Sequence, residues 1–496
     1  MTSAGEYIAH CSNYLPGSGS SNAQALLNNL SSHVQSLLGR PSLGAIQPFA
    51  KSAIISTLSR ITRGQLHVES LGVQHDFGSA YTLPEHVAGP SGALTAHIKV
   101  LDEAFWVRLL LNTDLGFADA YMLGEIEVDN LSNIFKIFLL NRRSLRELSM
   151  FLTPLVRTFS YLSNTRLTNA LTRSRQNISM HYDLSNEVFE AFLSRDMTYS
   201  CAVFTDELGG STGDLLETKH SAPHREPMDE GKACAPDDLE KGQLEKLHLL
   251  ARKARIKKGS RVLEIGCGWG SFSILAATEY GATVEAITLS TEQQSVVQRK
   301  IDEMGLSHRI TVRLMDYREL PEEFHHAFDA VVSIGVMEHV GIEYMRDWFK
   351  VMDWAMKEEN AVKVCTMTTI PDTKWASYSR DVDFIRKYIF PGGQLSSIKS
   401  LVDAATDAGL NIHSVEDIGP HYARTLREWN YRFQRNFDSR ISPALRRRYP
   451  HLTEADIQVF QRKWTYYFMY CEAGFAMRFL SDNVIVFTRE GNLLLD

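Results

Sequence analysis

Residues 261–271 read Arg-Val-Leu-Glu-Ile-Gly-Cys-Gly-Trp-Gly-Ser, an apolar strand running straight into a glycine-rich turn. Phe272 to Ala277 continue at helical spacing. Gly266, Gly268 and Gly270 let the backbone approach a ligand closely, and the helix behind them offers unpaired N–H groups and the positive end of its dipole. A dinucleotide fingerprint places its third glycine three residues after the second; here it comes two after, with Glu264 two residues before the first. Strand, acid, glycines and helix together predict a nucleotide-like ligand at the carboxyl end of this strand, and one that is not a dinucleotide.

The flanking segments sharpen this. The next strand, 282–289, carries Glu285 near the distance at which a dinucleotide enzyme holds the ribose, but mid-strand and away from the carboxyl end where ligands bind. Its end offers Thr288, Leu289 and, in the following turn, Gln293; hydroxyl and amide there also suit an ordinary strand end and helix start. A third strand, 310–315, ends in Asp316-Tyr317, an acid that could accept adenine amino hydrogens beside a ring. A fourth, 330–334, enters Gly335-Val-Met-Glu-His-Val-Gly341. The loop spacing is that of an S-adenosylmethionine methyltransferase rather than a dehydrogenase.

These stretches resemble the cyclopropane fatty acid synthase and mycolic acid cyclopropane synthase family. The resemblance is carried by His181-Tyr182-Asp183, Met197-Thr-Tyr199-Ser200-Cys201, Glu264–Ser271, Thr288–Gln294, Glu338-His-Val-Gly341, Lys387-Tyr-Ile-Phe-Pro-Gly-Gly393 and His421-Tyr422-Ala-Arg-Thr-Leu426, in family order from about residue 176 onward. Leu115–Gly124 is similar to the smaller N-terminal domain of the bacterial synthases, and Ile370-Pro-Asp372 is more similar to the eukaryotic branch. The resemblance implies a Rossmann-like class I methyltransferase: an α/β, doubly wound, mostly parallel sheet plus a smaller, mostly helical N-terminal domain. The implied activity adds a methylene, taken from S-adenosylmethionine, across the cis double bond of unsaturated acyl chains in phospholipids.

An isolated alkene is a poor nucleophile, and its attack on a sulfonium methyl leaves a carbocation in an apolar pocket. The site must exclude water, tolerate the cation and remove a proton from the new methyl group; aromatic faces contribute about 0.5–2 kcal/mol each when desolvated. The resemblance implies that bicarbonate is the base. Glu338 and Tyr422 match the glutamate and tyrosine that hold it, and Cys201 matches a position whose backbone N–H does so, its thiol being an inert apolar group. The family histidine is missing: in the best register Thr366 stands in its place, with Cys365 the alternative. A hydroxyl can bond to bicarbonate but cannot carry its proton. His339, adjacent to Glu338, would not face it on a helix and is read as structural. Tyr182, Tyr199 and Ser200 match positions that reach the cofactor. With Glu264, Gly266, Cys267, Gly268, Gly270, Thr288, Leu289, Gln293, Asp316 and Tyr317 they make up the expected cofactor site.

Composition bounds the remainder. A chain of 496 residues with 44% hydrophobic and 22% charged residues has room for two or more globular domains. No run of about 18 uncharged apolar residues occurs, and the N-terminus shows no secretory pattern. The six cysteines lack metal-ligand spacing, which argues against a metal site and suits a reducing compartment. The expected protein is therefore cytoplasmic and peripherally membrane-associated. No nucleic-acid partner is expected, because the chain is net acidic and has no Asn/Asp-Pro-Pro-Tyr type motif. Quaternary state stays open, a homodimer among the options.

Charge is unevenly placed. From Asn141 to Tyr182 seven arginines stand against Glu147 for a net +6, whereas 206–240 holds ten acids against three basic residues for a net −7. The acidic stretch has few large apolar residues and reads as a mobile insertion, with Asp237 or Asp238 capping the helix that follows. The expected organisation is an N-terminal lipid-associated domain over 1–175, cofactor-covering helices over 176–204, the acidic insertion over 205–238 and the catalytic domain over 239–496. Within the last, 374–401 interrupts the helix–strand alternation as a substrate lid. The aromatic run Trp464–Tyr470 reads as a helix whose Trp464, Phe468, Cys471 and Phe475 share a core face; its tyrosines could line an acyl tunnel. Two other readings stay in view: a lipid C-methyltransferase leaving a methyl branch, for instance on a sphingoid base, and a lipid-binding protein that keeps the fold without catalysis.

The basic stretch generates a test. Each basic residue near an anionic bilayer contributes about 1 kcal/mol to docking. Co-sedimentation with anionic vesicles should therefore be salt-sensitive and weaken stepwise as Arg142, Arg143 and Arg146 become Gln; arginines engaged within the fold would leave it unchanged.

Overall fold

A computed structural model describes residues 43–89, 91–145, 185–213 and 237–495. Tyr182, most of the basic 141–182 stretch, and the 214–236 portion of the acidic segment lie outside the described residues.

The glycine-rich turn belongs to a seven-stranded sheet. Its strands are β5 (Arg261–Ile265), β6 (Thr283–Thr288), β7 (Ile310–Leu314), β8 (Ala330–Ile334), β9 (Val362–Thr369), β10 (Asn411–Asp417) and β11 (Ser481–Thr488), in the order β10-β11-β9-β8-β5-β6-β7. β5 to β9 pair in parallel, and β11 runs antiparallel to both its neighbours. β5, β8 and β9 are nearly continuous apolar runs because both faces of the sheet are covered. Val262, Val364 and Val484 pack on one face, while Leu263, Cys365 and Ile485 pack on the other. From β5 the chain moves outward through β6 to β7, then crosses back to β8 on the opposite side. The reversal between β5 and β8 opens a crevice at their carboxyl ends, where such sheets bind ligands.

A second sheet precedes it in sequence: β1 (Gly64–Ser70), β2 (Val73–Ser79), β3 (Thr95–Val100) and β4 (Ile126–Val128), in the order β2-β1-β3-β4. These are the short segments expected beside the N-terminal helices, here Leu43–Leu58, Ala104–Leu123 and 131–145. The apolar positions of β1 alternate, burying Leu66 and Val68 against those helices.

This core continues into helices Gly419–Arg435 and Glu454–Ala476. Tyr466 meets Phe117 and Phe135 of the N-terminal unit, while Trp464 and Phe468 meet Phe192 and Phe433. The aromatic helix is thus buried on more than one side, and its tyrosines are core as well as its Trp464–Phe475 face. That is why no single stripe accounts for its sequence. Arg142, expected at a membrane, lies over the Phe479 ring at 4.1 Å.

One buried group opposes folding. Lys363 on β9 is fully buried, its Nζ has no hydrogen-bond partner, and it sits 3.8 Å from the Phe349 ring centroid with Trp348 and Phe487 at 5.4 Å. Burial pushes its ammonium down to about 7, against about 10.4 in an unfolded chain. Between those values the unfolded state binds the additional proton, so stability rises with pH across this window. Lys363→Met should raise stability at pH 7 by about 2 kcal/mol, an order-of-magnitude figure, and by little at pH 10. Urea unfolding at both pH values checks this.

Candidate active site

The turn after β5 is held by its neighbours. The N–H groups of Gly266 and Cys267 both donate to the Ile287 carbonyl, and Ser271 Oγ donates to the Asp196 carbonyl at 2.5 Å. Its three glycines, all at positive φ, have different reasons to be glycine. A Cβ on Gly266 would lie 2.3 Å from Val336 Cγ2, and one on Gly270 would lie 2.8 Å from Val297 Cγ1. A Cβ on Gly268 would meet nothing within 4 Å. Leu289, the residue after β6, is 74% exposed, an apolar face that an aromatic base could cover.

Glu264 lies beneath the turn, buried, accepting a hydrogen bond from Ser273 Oγ. Burial pushes its carboxyl up to about 8 against the pull of Ser273 and Lys246. Thr288 and Gln293 bond to each other at 2.7 Å, and Thr288 Oγ1 accepts from the Ser290 N–H at 3.1 Å. They make the strand end and helix start that their residue types also allowed. Asp316 is held by Arg318 in a two-pronged pair at 2.7 and 2.9 Å, which keeps its carboxyl below the usual range, and Tyr317 packs edge-on against Trp348. Glu285 pairs with Arg313, away from any ribose position.

Segment 199–204 has no strand partner, so its backbone groups must be met by other elements, side chains foremost. Thr425 Oγ1 accepts from the Ala202 N–H at 3.1 Å, His421 Nδ1 from the Phe204 N–H at 3.2 Å, and the Gly242 carbonyl from the Val203 N–H. Gln243 Nε2 donates to the Ser200 carbonyl and Lys246 Nζ to Ser200 Oγ at 2.8 Å. Arg424 donates to the carbonyls of Leu208 and Gly210. The His421–Leu426 motif is therefore a clamp on this segment, and the spacing of His421 and Thr425, one helical turn apart, is the signal that could have shown it. Asp237 caps helix Asp238–Lys253 by accepting from the Glu240 N–H, as expected.

The clamp brings Cys201 and Tyr422 toward the carboxyl end of β9. The Cys201 N–H makes no hydrogen bond among the described residues. Burial raises its thiol well above the ordinary value, which suits an inert group. Tyr422 stacks on Phe475 at 4.7 Å; burial, and then the charge of Asp482, raise its phenol well above the ordinary value. Glu338 Oε1 accepts from the Thr368 N–H at 2.7 Å, while its Oε2 is buried with no hydrogen-bond partner. Burial pushes this carboxyl up. Tyr199 faces the aromatic cluster, 5.0 Å from Trp429, with its hydroxyl 3.1 Å from that of Tyr467.

The expectation for the missing histidine shifts. Thr366 Oγ1 accepts from the Gly335 N–H at 3.0 Å, and Cys365 lies in the core on the sheet's other face. The residue that reaches Glu338 is Thr368, because the β9 N–H opposite the Glu338 turn belongs to it. His339 packs against Phe390 of the 374–401 segment, which is fastened by the Gln394 N–H to the Glu338 carbonyl and by the Tyr388 hydroxyl to Asp119. No cluster among the described residues could hold a metal ion.

The mycolic acid cyclopropane synthetase family matches residues 169–483. Tuberculostearic acid methyltransferase UfaA1 of Mycobacterium tuberculosis is 33% identical over 381 residues, spanning 76% of this chain and 79% of its own length. Cyclopropane-fatty-acyl-phospholipid synthase of Escherichia coli (strain K12) is 30% identical over 403 residues, spanning 80% of this chain and 89% of its own. Among solved structures, cyclopropane synthase MmaA2 of Mycobacterium tuberculosis is 25% identical with a TM-score of 0.49, covering 63% of this chain and 97% of that one.

The glycines separate packing from binding. Gly266→Ala should destabilise the fold by about 3 kcal/mol, combining overpacking with a disfavoured φ. Gly268→Ala should cost only about 1–2 kcal/mol yet weaken S-adenosylmethionine binding at least tenfold, and Gly268→Val should abolish it. Urea unfolding and calorimetry on the variants separate the two effects; unchanged affinity at Gly268 would place the ligand elsewhere.

Proposed function

This chain belongs to the mycolic acid cyclopropane synthetase family and is an S-adenosylmethionine-dependent methyltransferase, and from that premise we propose that it adds a methylene across the cis double bond of unsaturated acyl chains in phospholipids. The observation that carries the reading is the buried, unpartnered Glu338 Oε2 in the crevice that also holds Tyr422 and the Cys201 N–H. In this reading S-adenosylmethionine supplies an electrophilic methyl group. The open side of Gly268 and the exposed face of Leu289 fit its nucleoside, and Glu264 and Ser271 support the turn from below and above.

Bicarbonate fits the second part of the site. The Cys201 N–H and the Tyr422 hydroxyl are donors suited to an anion, and a Glu338 carboxyl held upward in pKa can share a proton with it. Water is kept from the cation by the aromatic wall of Tyr199, Trp429, Phe390 and Tyr467. The acceptor lipid is reached from the bilayer by peripheral docking at an anionic membrane surface, and no helix among the described residues is long and apolar enough to cross a membrane.

The similarity to UfaA1 favours a second product, an acyl chain carrying a methylene branch after the cation loses a different proton. Ring and methylene branch both add one CH₂, but only the ring removes the alkene, so mass spectrometry with an alkene-specific derivatisation tells them apart. Release of S-adenosylhomocysteine from vesicles of monounsaturated phospholipid tests the activity itself, and no release would leave a lipid-binding protein.

Glu338→Gln should lower kcat about 100-fold or more while S-adenosylmethionine affinity stays within about threefold, since the carboxyl is needed at proton removal. Bicarbonate depletion should slow the unaltered protein. Full activity in degassed buffer, with no response to added bicarbonate, would overturn the assignment of the base.

A further inference from the structure

A second buried carboxylate adjoins Glu338. The antiparallel register of β11 on β9 sets Asp482 opposite Thr368. Thr368 thereby touches two acids: its N–H donates to Glu338 Oε1 at 2.7 Å and its hydroxyl to Asp482 Oδ1 at 3.3 Å. Asp482 is 4% exposed and has no cation within ion-pairing distance among the described residues. Its own carbonyl accepts from the Ile418 N–H at 2.7 Å, so the same residue anchors the start of the helix that presents Tyr422. Asp482 lies far from every motif that carries the family resemblance, so no local signal marks it.

We propose that Asp482 takes the place of the absent histidine: the carboxyls of Glu338 and Asp482, bridged by Thr368, form an acid pair that keeps the proton released by the reaction. The inference rests on the methyl-transfer reading above. In the step concerned, a C–H bond of the newly added methyl group breaks and its electron pair forms the closing carbon–carbon bond of the ring. The proton passes, by way of bicarbonate at Glu338, to a carboxylate oxygen of the pair. Loss of a proton to give a methylene branch needs the same acceptor. Asp482 is thus a positioning and proton-holding residue, acting through Glu338.

The electrostatic surroundings favour this. Burial first, and then the Glu338 charge, push Asp482 up to about 8, with Thr368 and Lys246 pulling the other way and Asp417 adding to the rise. Glu338 is also raised by burial. Two like charges this close do not both ionise at neutral pH, so the pair retains one proton, and burial keeps its remaining carboxylate more basic than a solvated one. The other groups facing the pair are Cys201 and Tyr422, both held neutral, and Lys246, whose ammonium burial lowers to about 8. A second proton entering the pair disables it as an acceptor, so kcat should fall as pH falls through that step.

The test uses the full chain and the variant Asp482→Asn, near-identical in shape. Infrared titration of the ligand-free protein should show protonated-carboxyl C=O absorption at pH 7 from the pair as well as from Glu264, and the difference between unaltered protein and Asp482→Asn should contain the pair's band, because the lone Glu338 then loses its like-charged neighbour and ionises at lower pH. With monounsaturated phosphatidylglycerol vesicles, the variant should lose about 100-fold in kcat, keep S-adenosylmethionine affinity within about threefold, and move the acidic limb of its kcat profile upward, because that limb is the entry of the second proton and the lone Glu338 no longer shares its neighbour's proton; Asp482→Glu should recover part of kcat. A band at pH 7 unaffected by Asp482→Asn, or a limb that does not move, overturns the acid pair. Should the variant fail to fold, Thr368→Val, which removes only the bridging hydroxyl, must lower the same band and kcat, and no change in either overturns the pair. Activity that ignores bicarbonate while the band and limb still respond to Asp482→Asn would remove bicarbonate and leave the pair as the direct acceptor, so the two assignments fail separately.

Discussion

A buried chain segment with no strand beside it has to find a partner for every backbone donor it carries, and residues 199–204 are such a segment. Leaving one amide unpaired away from water costs about 1–3 kcal/mol, so the groups that answer the segment, the His421 and Thr425 side chains and the Gly242 carbonyl for its N–H groups and Gln243 for the Ser200 carbonyl, cannot drift independently. The placement of Tyr422 follows, because it sits on the same turn as His421. So does the placement of Cys201, whose N–H is the donor the clamp does not use. The Cys201 amide is thereby left free to face the crevice, while those of Ala202, Val203 and Phe204 are tied down.

Much of this architecture was legible in the residues. The β5 turn and the order of strands through β8 follow from apolar runs punctuated by glycine and polar turns, because a parallel sheet covered on both faces leaves that record. The local contacts of Thr288 and Gln293 were equally legible as a strand end and helix start. Other features had no local trace. Thr368 and Asp482 come together only through the β9–β11 register, across more than a hundred residues of sequence, and the site expectation fell on Thr366, whose hydroxyl serves Gly335 instead. Asp316 offered an acid in the right place, but Arg318 two residues later claims it.

The N-terminal unit shows a different limit. Periodicity in Glu454–Ala476 was sought as one apolar stripe, yet the helix separates two aromatic populations, Phe117 and Phe135 on one side and Phe192 and Phe433 on another. Its tyrosines are core residues of an interface between the second sheet and the crevice helices, and they make one continuous apolar body of what composition suggested as separate cores. Lys363 marks the opposite case, a cationic side chain in an apolar layer that strand alternation alone would have kept apolar.

The three glycines of the β5 turn carry an evolutionary consequence. Gly266 and Gly270 lack side chains because Val336 and Val297 already fill the space, so each is tied to a partner position and could change only together with a smaller residue there. Gly268 has no such partner within the chain. Lineages that keep the fold should therefore show paired substitution at 266 with 336 and at 270 with 297, whereas freedom at 268 should arise only in descendants that have given up the ligand. The middle glycine would then mark loss of the chemistry, while the outer two carry the added constraint of the packing against Val336 and Val297.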